Sequence, residues 1–479
     1  MIRFHNTLTR RQEEFRPLVA GQVGLYTCGP TVYADPHIGN LRTFVWEDLL
    51  CRFLEARGLA VRQVMNITDV DDKIIERARR DHATLEACTA PFTAAFFEDV
   101  EALGMRRAAV YPRATAHVPE MVALIETLMS SGHAYATDGS VYFRIGRFAP
   151  YGRLSGKDLA GLRAGASGRV DADEYDKDDV RDFVLWKGSR PGEPSWDGPS
   201  GPGRPGWHIE CSAMSMKYLG PSFDIHAGGV DNIFPHHENE IAQSEAATGR
   251  PLAHTWLHAA HLIVNGEKMS KSKGNVVTLR DLLARGHAAR TLRYLLLAPH
   301  YRHTLDLTPA TLEAASGALD RLDELGRRLE GEPEPAAGIP PSRAGEPGRT
   351  DLLATRVASA ATRFHAALDD DLNTSAALGA LFEMVREVNT GLDAGQADAG
   401  ARRAARQLLG DFEAVFGIRL QAGEETLPAE LAALVAEREE ARRRRDWATS
   451  DRLRQRLLEA GVGVEDTPRG QRWKRQGRS

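Results

Sequence analysis

Two segments far apart in the chain carry side chains suited to holding phosphate. Residues 266–275 read GEKMSKSKGN, which places three lysines and two serines between two glycines. Residues 37–40 read HIGN and open a predicted helix shortly after a strand that ends at Cys28. Unpaired amides at a helix N-terminus favour an anion, and flexible lysines bring compact cations to it. The pair indicates phosphate binding, although each segment alone also fits a solvated turn or a capped helix start.

A second group has the side chains of a zinc site. Cys28 and Cys211 offer thiols, and the segment PHHENE supplies His236, His237 and Glu240. Thiolate, imidazole and carboxylate are the usual ligands of zinc, and His236 and Glu240 would share one helical face. The chain has no CxxC pair at these positions, so spacing alone equally allows buried thiols beside a surface His/Glu face. Spacing also does not choose between the two histidines.

Length and composition indicate a globular protein of several domains. A chain of 479 residues is too long for one core, and 42% hydrophobic with 27% charged residues is ordinary for globular domains. The net charge of −5 argues against nonspecific coating of nucleic acid but allows a local basic face. Four scattered cysteines favour a reducing cytoplasm over a disulfide scaffold. The N-terminal segment lacks the apolar stretch of a secretion signal, and the sequence has no run of about 18 apolar residues. We therefore expect neither secretion nor a membrane span.

The elements that must position these side chains alternate through the first half of the chain. Apolar runs at 23–28, 61–67 and 223–226 predict strands, and residues 41–58 predict a helix. This order predicts parallel βαβ units, whose active residues collect at the carboxyl ends of the strands. The stretch around Cys211 is also predicted to be a strand.

The C-terminal part is predicted to be helical. Residues 331–349 have the composition of a linker. The apolar spacing from Leu378 to Val388 predicts a bundle helix that Asn373 or Thr374 can cap. Residues 429–479 combine a charged helix pair, a strand-like end and a basic tail. The tail places Trp473 among cations, a mixture that suits stacking on an unpaired base and holding phosphates. A disordered basic tail is the alternative interpretation.

Taken together, these segments resemble the cysteinyl-tRNA synthetase family. HIGN and KMSKS are the paired signature of class I aminoacyl-tRNA synthetases. The stretches CGPTVY, HIGNLRTFVWEDLL, NITDVDDKII, WHIECSAM, FPHHENEIAQSEA and GEKMSKSKGN occur in the family's order. The similarity reaches DDDLNTSAALGAL and EDTPRGQRW, so it covers essentially the whole chain. Ala227, Asn232 and Lys273 depart from the glycine, apolar residue and leucine that the family usually carries.

The resemblance implies an α/β fold in several parts. A Rossmann-like catalytic domain with a parallel sheet would carry an inserted connective domain and be followed by a helical bundle and a small anticodon-binding domain. The expected divisions are 1–114 for the first catalytic half, 115–205 for the insertion, 206–275 for the second half with the KMSKS loop, 276–330 for a stem-contact region, 331–349 for the linker, 350–420 for the bundle and 429–479 for the anticodon-binding domain.

The resemblance also implies a reaction. ATP, with Mg²⁺, would activate L-cysteine to cysteinyl adenylate, and the cysteine would pass to the 3′-terminal adenosine of the cysteine tRNA. Positioning and charge stabilisation would supply most of the catalysis. The enzyme would contact the acceptor end and the anticodon, and we expect a cytoplasmic monomer without membrane contact.

The family's functional positions map onto this sequence residue by residue. One zinc ion per chain would select the substrate thiolate over the hydroxyl of serine. Trp207, beside the predicted Cys211 strand, would close over the amino acid, and Asp231 would face its ammonium group or the ribose. The implied zinc ligands are Cys28, Cys211, His236 and Glu240; the catalytic residues His37, Asn40, Lys268 and Lys271; the further ATP contacts Thr31 and Gly39; the amino acid contacts Cys28, Gly29, Thr68, Trp207 and Asp231; and the tRNA contacts Arg469, Arg472, Trp473 and Lys474.

Three alternatives remain at this stage. A cysteine ligase that passes the adenylate to an amino sugar, as in mycothiol synthesis, would share the catalytic half but would not need residues 429–479. A regulatory paralogue that binds tRNA or zinc without catalysis would be expected to lack His37, Lys268 and Lys271, which this chain retains. A small nucleotidyltransferase of the same superfamily usually has a single short domain, which the length disfavours.

Overall fold

The structure is a computed structural model that describes most of the chain. The described residues are 1–157, 181–270, 274–330, 350–421, 427–467 and 470–475. The predicted linker at 331–349 lies outside them, as do Lys271, Lys273 and Arg469.

Strands and helices alternate in the first half of the described residues, and helices dominate the second. The strands are β1 (Arg3–Asn6), β2 (Arg11–Glu14), β3 (Gln22–Thr27), β4 (Ala60–Met65), β5 (Ala134–Thr137), β6 (Ser140–Phe143), β7 (Phe183–Gly188), β8 (Gly203–Pro205), β9 (Phe223–Gly229), β10 (Ala253–Ala259), β11 (Leu262–Val264), β12 (Glu267–Lys268), β13 (Leu305–Leu307), β14 (Val462–Thr467) and β15 (Gly470–Arg475). The α-helices are α1 (Ile38–Ala56), α2 (Asp72–Arg80), α3 (Leu85–Ala102), α4 (Val118–Ser130), α5 (Trp207–Leu219), α6 (Glu238–Thr248), α7 (Leu279–Ala284), α8 (Ala289–Leu297), α9 (Pro309–Glu330), α10 (Thr350–Asp369), α11 (Thr374–Asp393), α12 (Ala399–Phe416), α13 (Ala429–Arg443) and α14 (Trp447–Glu459).

A parallel sheet in the order β10-β9-β3-β4 forms the centre of the first half. β3, β4 and β9 confirm the three predicted strands, and Tyr26 of β3 lies opposite Val64 of β4 and His226 of β9. All of β9 and the carboxyl-terminal halves of β3 and β4 are buried, as in a parallel sheet covered on both faces. Because the strands are parallel, their carboxyl ends meet at one edge, and the candidate site lies there.

Helix α1 confirms the predicted helix, and it begins at the HIGN segment. The imidazole of His37 accepts a hydrogen bond from the Asn40 N–H at 3.1 Å, and the Asn40 side chain accepts one from the His37 N–H at 3.3 Å. This reciprocal pair is a capping box made by an imidazole and an amide. The first turn of α1 is therefore locally fixed at the edge of the sheet.

The segment that carries Cys211 is a helix, so the predicted strand is wrong. In α5 every residue from 209 to 215 is buried, because the helix packs against α4, α6 and β3. A helix buried all round lacks the apolar and polar periodicity that identifies an amphipathic helix. Its methionine, alanine, glutamate and leucine are nevertheless good helix formers.

The remaining parts surround this core. The strands β5-β6-β7-β8 form a separate antiparallel sheet whose apolar side chains join those of α5 in one cluster. Helices α9 to α12 pack together, and Asn373 caps α11 by accepting the Ala376 N–H at 3.1 Å. Helices α13 and α14 and the β14-β15 hairpin enclose a small apolar cluster of their own. Among the described residues, no helix is long and apolar enough to cross a bilayer.

A buried arginine joins the catalytic half to the helical bundle. Arg293 of α8 is 1% exposed and donates to the carbonyl of Phe416 at 2.6 Å and to that of Leu103 at 3.0 Å. Its third contact is an ion pair with Asp48 of α1, which also pairs with Arg52 at 2.8 Å. Despite burial, Arg293 and Arg52 hold the pKa of Asp48 below its ordinary value. One side chain thus fastens α1, the end of α3 and the end of α12.

We expect Arg293→Met to lower the free energy of unfolding by about 3 kcal/mol, since two buried carbonyls and a carboxylate lose a charged partner. Urea unfolding followed by circular dichroism measures the change. Arg285→Met, at an exposed position of the neighbouring segment, should shift stability by less than about 0.5 kcal/mol. Equal stability of the two variants would contradict the assigned role of Arg293.

Candidate active site

Four side chains of the sheet edge form a cluster that could hold a metal ion. The ligand atoms of Cys28, Cys211, His236 and Glu240 all lie within 4.8 Å of one another. Cys28 follows β3, Cys211 lies in α5, His236 precedes α6 and Glu240 lies in its first turn. The fold thus assembles the four predicted ligands from distant segments.

A second donor set shares part of this cluster. Cys28, His226, His237 and Glu240 meet the same distance limit. His237 Nε2 lies 3.2 Å from Cys28 Sγ, and His226 Nε2 lies 2.9 Å from one oxygen of Glu240. His236 Nε2 lies 3.1 Å from the other oxygen of Glu240. Distances alone therefore allow both sets.

Burial controls the protonation of the cluster. It raises the pKa of the Cys28 thiol well above its ordinary value, and it also raises the pKa of Cys211 and Glu240. It lowers the pKa of His237 well below its ordinary value and that of His258 to about 3. In the absence of a cation, burial thus shifts both thiols, Glu240, His237 and His258 towards their uncharged forms. A divalent cation would stabilise the ionised ligands, so the donor chemistry fits zinc.

The aromatic residue predicted to cover the amino acid lies against this cluster. Trp207 is half-buried at the start of α5 and stacks on His236, with ring centroids 4.1 Å apart and an interplanar angle of 23°. Asp231 is exposed in the short helical turn Val230–Asn232 that follows β9. Both residues precede His236 in the chain; Trp207 lies beside the cluster, and Asp231 lies in the exposed turn after β9.

The departures Ala227 and Asn232 lie close to this region. Ala227 is fully buried in β9, and its carbonyl accepts the Cys28 N–H at 3.4 Å. A Cβ on Gly228 would lie 3.0 Å from the Asn232 amide nitrogen, so the asparagine packs against the end of β9.

Polar residues at the ends of β3 and β4 form a buried chain of hydrogen bonds. The Gly29 N–H donates to Asn66 at 3.0 Å, the Asn66 amide donates to Thr68 at 3.1 Å, and the Thr68 hydroxyl donates to Glu210 at 3.2 Å. A Cβ at Gly29 would lie 1.8 Å from the Asn66 carbonyl oxygen, so only glycine fits there. Glu210 was not predicted from the sequence; the available signal was a carboxylate within a largely apolar helix. Burial raises its pKa well above the ordinary value.

The two predicted phosphate segments meet at the start of α1. The Ile38 N–H donates to the Val277 carbonyl at 2.8 Å, and His37 forms a bridge with Thr278. A Cβ on Gly39 would lie 2.8 Å from the methyl group of Met269 in the KMSKS segment. The segments that follow β3 and β4 also meet, in an isolated parallel bridge between Thr31 and Thr68. The fold therefore brings HIGN and KMSKS into contact.

Side chains of the KMSKS segment stand at the surface of this junction. Lys268 is exposed, and its carbonyl accepts the Asn275 amide at 3.2 Å while the Asn275 oxygen accepts the Ser270 N–H at 2.8 Å. These two bonds tie Lys268 and Ser270 to Asn275, and Lys271 lies outside the described residues. Because His37 Nδ1 accepts the Asn40 N–H, the proton of the neutral imidazole lies on Nε2.

The small C-terminal unit carries two tryptophans that differ in exposure. Trp473 is half-buried and packs against the cluster that contains Leu457 and Val464. Arg472 and Lys474 lie beside it in β15. Trp447, by contrast, is 55% exposed, and the Arg442 guanidinium lies 5.4 Å from the centre of its ring. The sequence signal for it is a tryptophan that follows four arginines and one aspartate within the charged helix pair.

Family models match three successive parts of the chain. The model described as the catalytic domain of class I (C) tRNA synthetases matches residues 14–317. A DALR domain matches residues 363–421, and an anticodon binding domain of cysteinyl-tRNA ligases matches residues 424–473.

Curated relatives match the chain over its whole length. The cysteine–tRNA ligase of Solibacter usitatus is 49% identical over 99% of this chain and 100% of that protein. The cysteine–tRNA ligase of Moorella thermoacetica is 48% identical over 98% of this chain and 99% of that protein.

Solved structures of lower identity share the fold. The methionyl-tRNA synthetase of Mycobacterium tuberculosis in complex with methionyl-adenylate superposes with a TM-score of 0.59 at 18% identity, over 82% of this chain and 89% of that one. A putative arginyl-tRNA synthetase of Campylobacter jejuni reaches 0.54 at 12% identity, over 85% and 94%.

Proposed function

Since the chain belongs to the cysteine–tRNA ligase family, we propose that it activates L-cysteine and charges the cysteine tRNA at the sheet edge described above. The protein is a class I aminoacyl-tRNA synthetase and a ligase. One observation carries the assignment of the site: the sulfur-containing cluster and both phosphate segments collect at the carboxyl ends of the same strands. An amino acid bound at the cluster would thus lie next to ATP bound at the start of α1.

We assign the metal site to Cys28, Cys211, His236 and Glu240. The two thiols favour this set, because zinc prefers a second sulfur over a second imidazole. Bound zinc would supply a Lewis acid that prefers the substrate sulfur to the hydroxyl of serine. His226 and His237 contact Glu240 and Cys28 and would orient these ligands from outside.

The residues around α1 would position ATP, together with Mg²⁺. Lys268 and Lys271 would stabilise the charge that develops on the triphosphate when the substrate carboxylate attacks the α-phosphate. His37 would donate from Nε2, the nitrogen that the capping bond leaves protonated. Asn40 holds that imidazole, and Gly39 leaves room for Met269. Thr31 would contribute from the facing loop.

The remaining pocket residues would hold the amino acid. Trp207 would form a wall through its stacking on His236. Gly29 keeps the backbone beside Cys28 close to Asn66, and Thr68 presents a hydroxyl. Asp231 at the rim would face the substrate ammonium group or the ribose.

We propose that the C-terminal unit binds the anticodon of the cysteine tRNA. Arg469, Arg472, Trp473 and Lys474 would contact it, and the exposed Trp447 adds a stacking surface beside a guanidinium. The acceptor end would reach the catalytic site. We propose the same domain boundaries as those expected from the resemblance, with the β5–β8 sheet inside the insertion, and a monomer acting in the cytoplasm.

Charging of a cysteine tRNA transcript by the purified protein tests this function. With labelled cysteine and ATP we expect strong charging that falls about tenfold or more when the anticodon is replaced, since specific base contacts contribute about 1–3 kcal/mol each. Cysteine-dependent pyrophosphate exchange without charging would instead support the amino-sugar ligase. The absence of both activities would support the regulatory paralogue.

A further inference from the structure

The buried hydrogen bonds at the ends of β3 and β4 connect the neighbours of the two thiols. Gly29 follows Cys28, and Glu210 precedes Cys211. Between them, Asn66 and Thr68 complete the chain with bonds of 3.0 to 3.2 Å. Thr68 is only 1% exposed. Its backbone is fixed as well, because its N–H donates to the Pro30 carbonyl at 3.0 Å and its carbonyl accepts the Val32 N–H at 3.1 Å.

The direction of these bonds determines what Thr68 can offer a ligand. A threonine hydroxyl has one proton and two acceptor lone pairs. The proton goes to Oε2 of Glu210, and one lone pair accepts from the Asn66 amide. Oε2 can accept whether the carboxyl is ionised or carries its proton on Oε1. The hydroxyl is therefore left with a single lone pair, and it can serve a third partner only as an acceptor.

The second oxygen of Glu210 and a nearby acid favour a cation in front of Thr68. Within the described residues, Oε1 of Glu210 has no hydrogen-bond partner although the side chain is 1% exposed. Burying such a group costs stability, so its retention calls for an explanation outside folding. Asp69 is the next residue after Thr68 in the chain. Two carboxyl groups thus lie near the threonine, that of Glu210 through its hydrogen bond and that of Asp69 through the backbone.

From this arrangement we infer that Glu210 is a positioning residue that holds Thr68 as the hydrogen-bond acceptor for the ammonium group of the amino acid substrate. The inference rests on the proposed function. A substrate carboxylate needs donors, which the oriented Thr68 hydroxyl cannot provide, and the substrate sulfur belongs at the Cys28 cluster. The ammonium group has three donors and a positive charge, so it is the part of the substrate that this acceptor and these acids suit.

A ligand without an ammonium group separates this role from a general structural one. The experiment measures the KM for L-cysteine in pyrophosphate exchange and the inhibition constant of 3-mercaptopropionate, which keeps the thiol and the carboxylate. For Glu210→Met we expect the KM for L-cysteine to rise about tenfold, the typical loss for a hydrogen bond to a charged group. The inhibition constant of 3-mercaptopropionate should change by less than about twofold. The KM for ATP and the zinc content per chain should stay at wild-type values.

Further variants show whether Glu210 acts through Thr68. Glu210→Gln keeps an acceptor oxygen and should behave like the wild type. Thr68→Val should reproduce the selective loss, and the double variant should lose no more than Thr68→Val, because both changes break one unit. Glu126→Met, the same type of change on the exposed face of α4, is the matched control.

The outcomes that overturn the inference are distinct from failure of the proposed function. Equal losses for L-cysteine and 3-mercaptopropionate, or loss of zinc in Glu210→Met, would mean that Glu210 supports the thiol cluster and not the ammonium group. An active wild type whose KM for L-cysteine is unchanged by Glu210→Met would overturn the inference alone. A folded wild type without cysteine-dependent exchange would overturn the proposed function and this inference with it.

Discussion

Cys211→Ser is expected to remove zinc from the protein and to lower cysteine-dependent pyrophosphate exchange by about a thousandfold, the scale of a lost Lewis acid worth several kcal/mol. A serine hydroxyl stays protonated near neutral pH and is a poor zinc ligand, whereas a thiol loses its proton to the metal. Cys211 is buried in α5, so another side chain cannot easily replace it. Elemental analysis of the purified variant and the exchange rate at saturating ATP give the two readouts.

The same experiment decides between the two donor sets at the sheet edge. If His236 is a ligand, His236→Gln should also lose zinc, whereas His226→Gln should keep it with an affinity weakened by about 10- to 100-fold, as for residues that orient a ligand. His226 is a suitable control because it too is fully buried and contacts Glu240. Full zinc occupancy in Cys211→Ser together with loss in His226→Gln would contradict the assignment and support the set that contains His237.

Lys268→Met is expected to lower the kcat of pyrophosphate exchange by about 10²- to 10³-fold, the cost of removing one group that stabilises developing charge. Lys268 is exposed next to the start of α1, where the Val277 carbonyl holds the Ile38 N–H. Because the proposed contact strengthens as the triphosphate charge shifts, kcat should fall more than the KM for ATP rises. The KM for L-cysteine should change little.

A matched change elsewhere controls for the loss of a lysine. Lys217→Met, at the far end of α5 where Lys217 pairs with Glu120 on the surface, should leave the rate near the wild-type value. Lys268→Arg keeps the charge and should recover part of the activity. A variant Lys268→Met with unchanged kcat and a raised KM for ATP would show that the lysine binds ATP without stabilising the transition state.

The sequence by itself determined three central strands, helix α1 and the family, because these depend on local order along the chain. Apolar runs predicted β3, β4 and β9, and the periodic spacing in α1 predicted a helix. Capping chemistry is also local: Asn373 accepts the amide of a residue three positions away. HIGN and KMSKS are each an unbroken run of residues, so the sequence alone identified the class I catalytic domain without knowledge of any contact.

Only the tertiary structure decided which side chains meet. Cys28 and Glu240 are distant in sequence, and packing of α5 against the sheet and of α6 against α5 brings their ligand atoms within 4.8 Å of that of Cys211. Burial on all sides hid the helical period around Cys211, and the same burial makes Glu210 a partner of Thr68. Such contacts depend on long-range packing, which residue spacing does not encode.

The C-terminal unit shows the same limit. Its composition pointed to Trp473, which is half-buried because it packs against the small cluster of α13, α14 and the β14-β15 hairpin. Trp447 starts a helix on the outer side and stays exposed. Composition determined that this unit carries tryptophans among cations, and the fold decided which of them faces solvent, because exposure depends on what packs against each side.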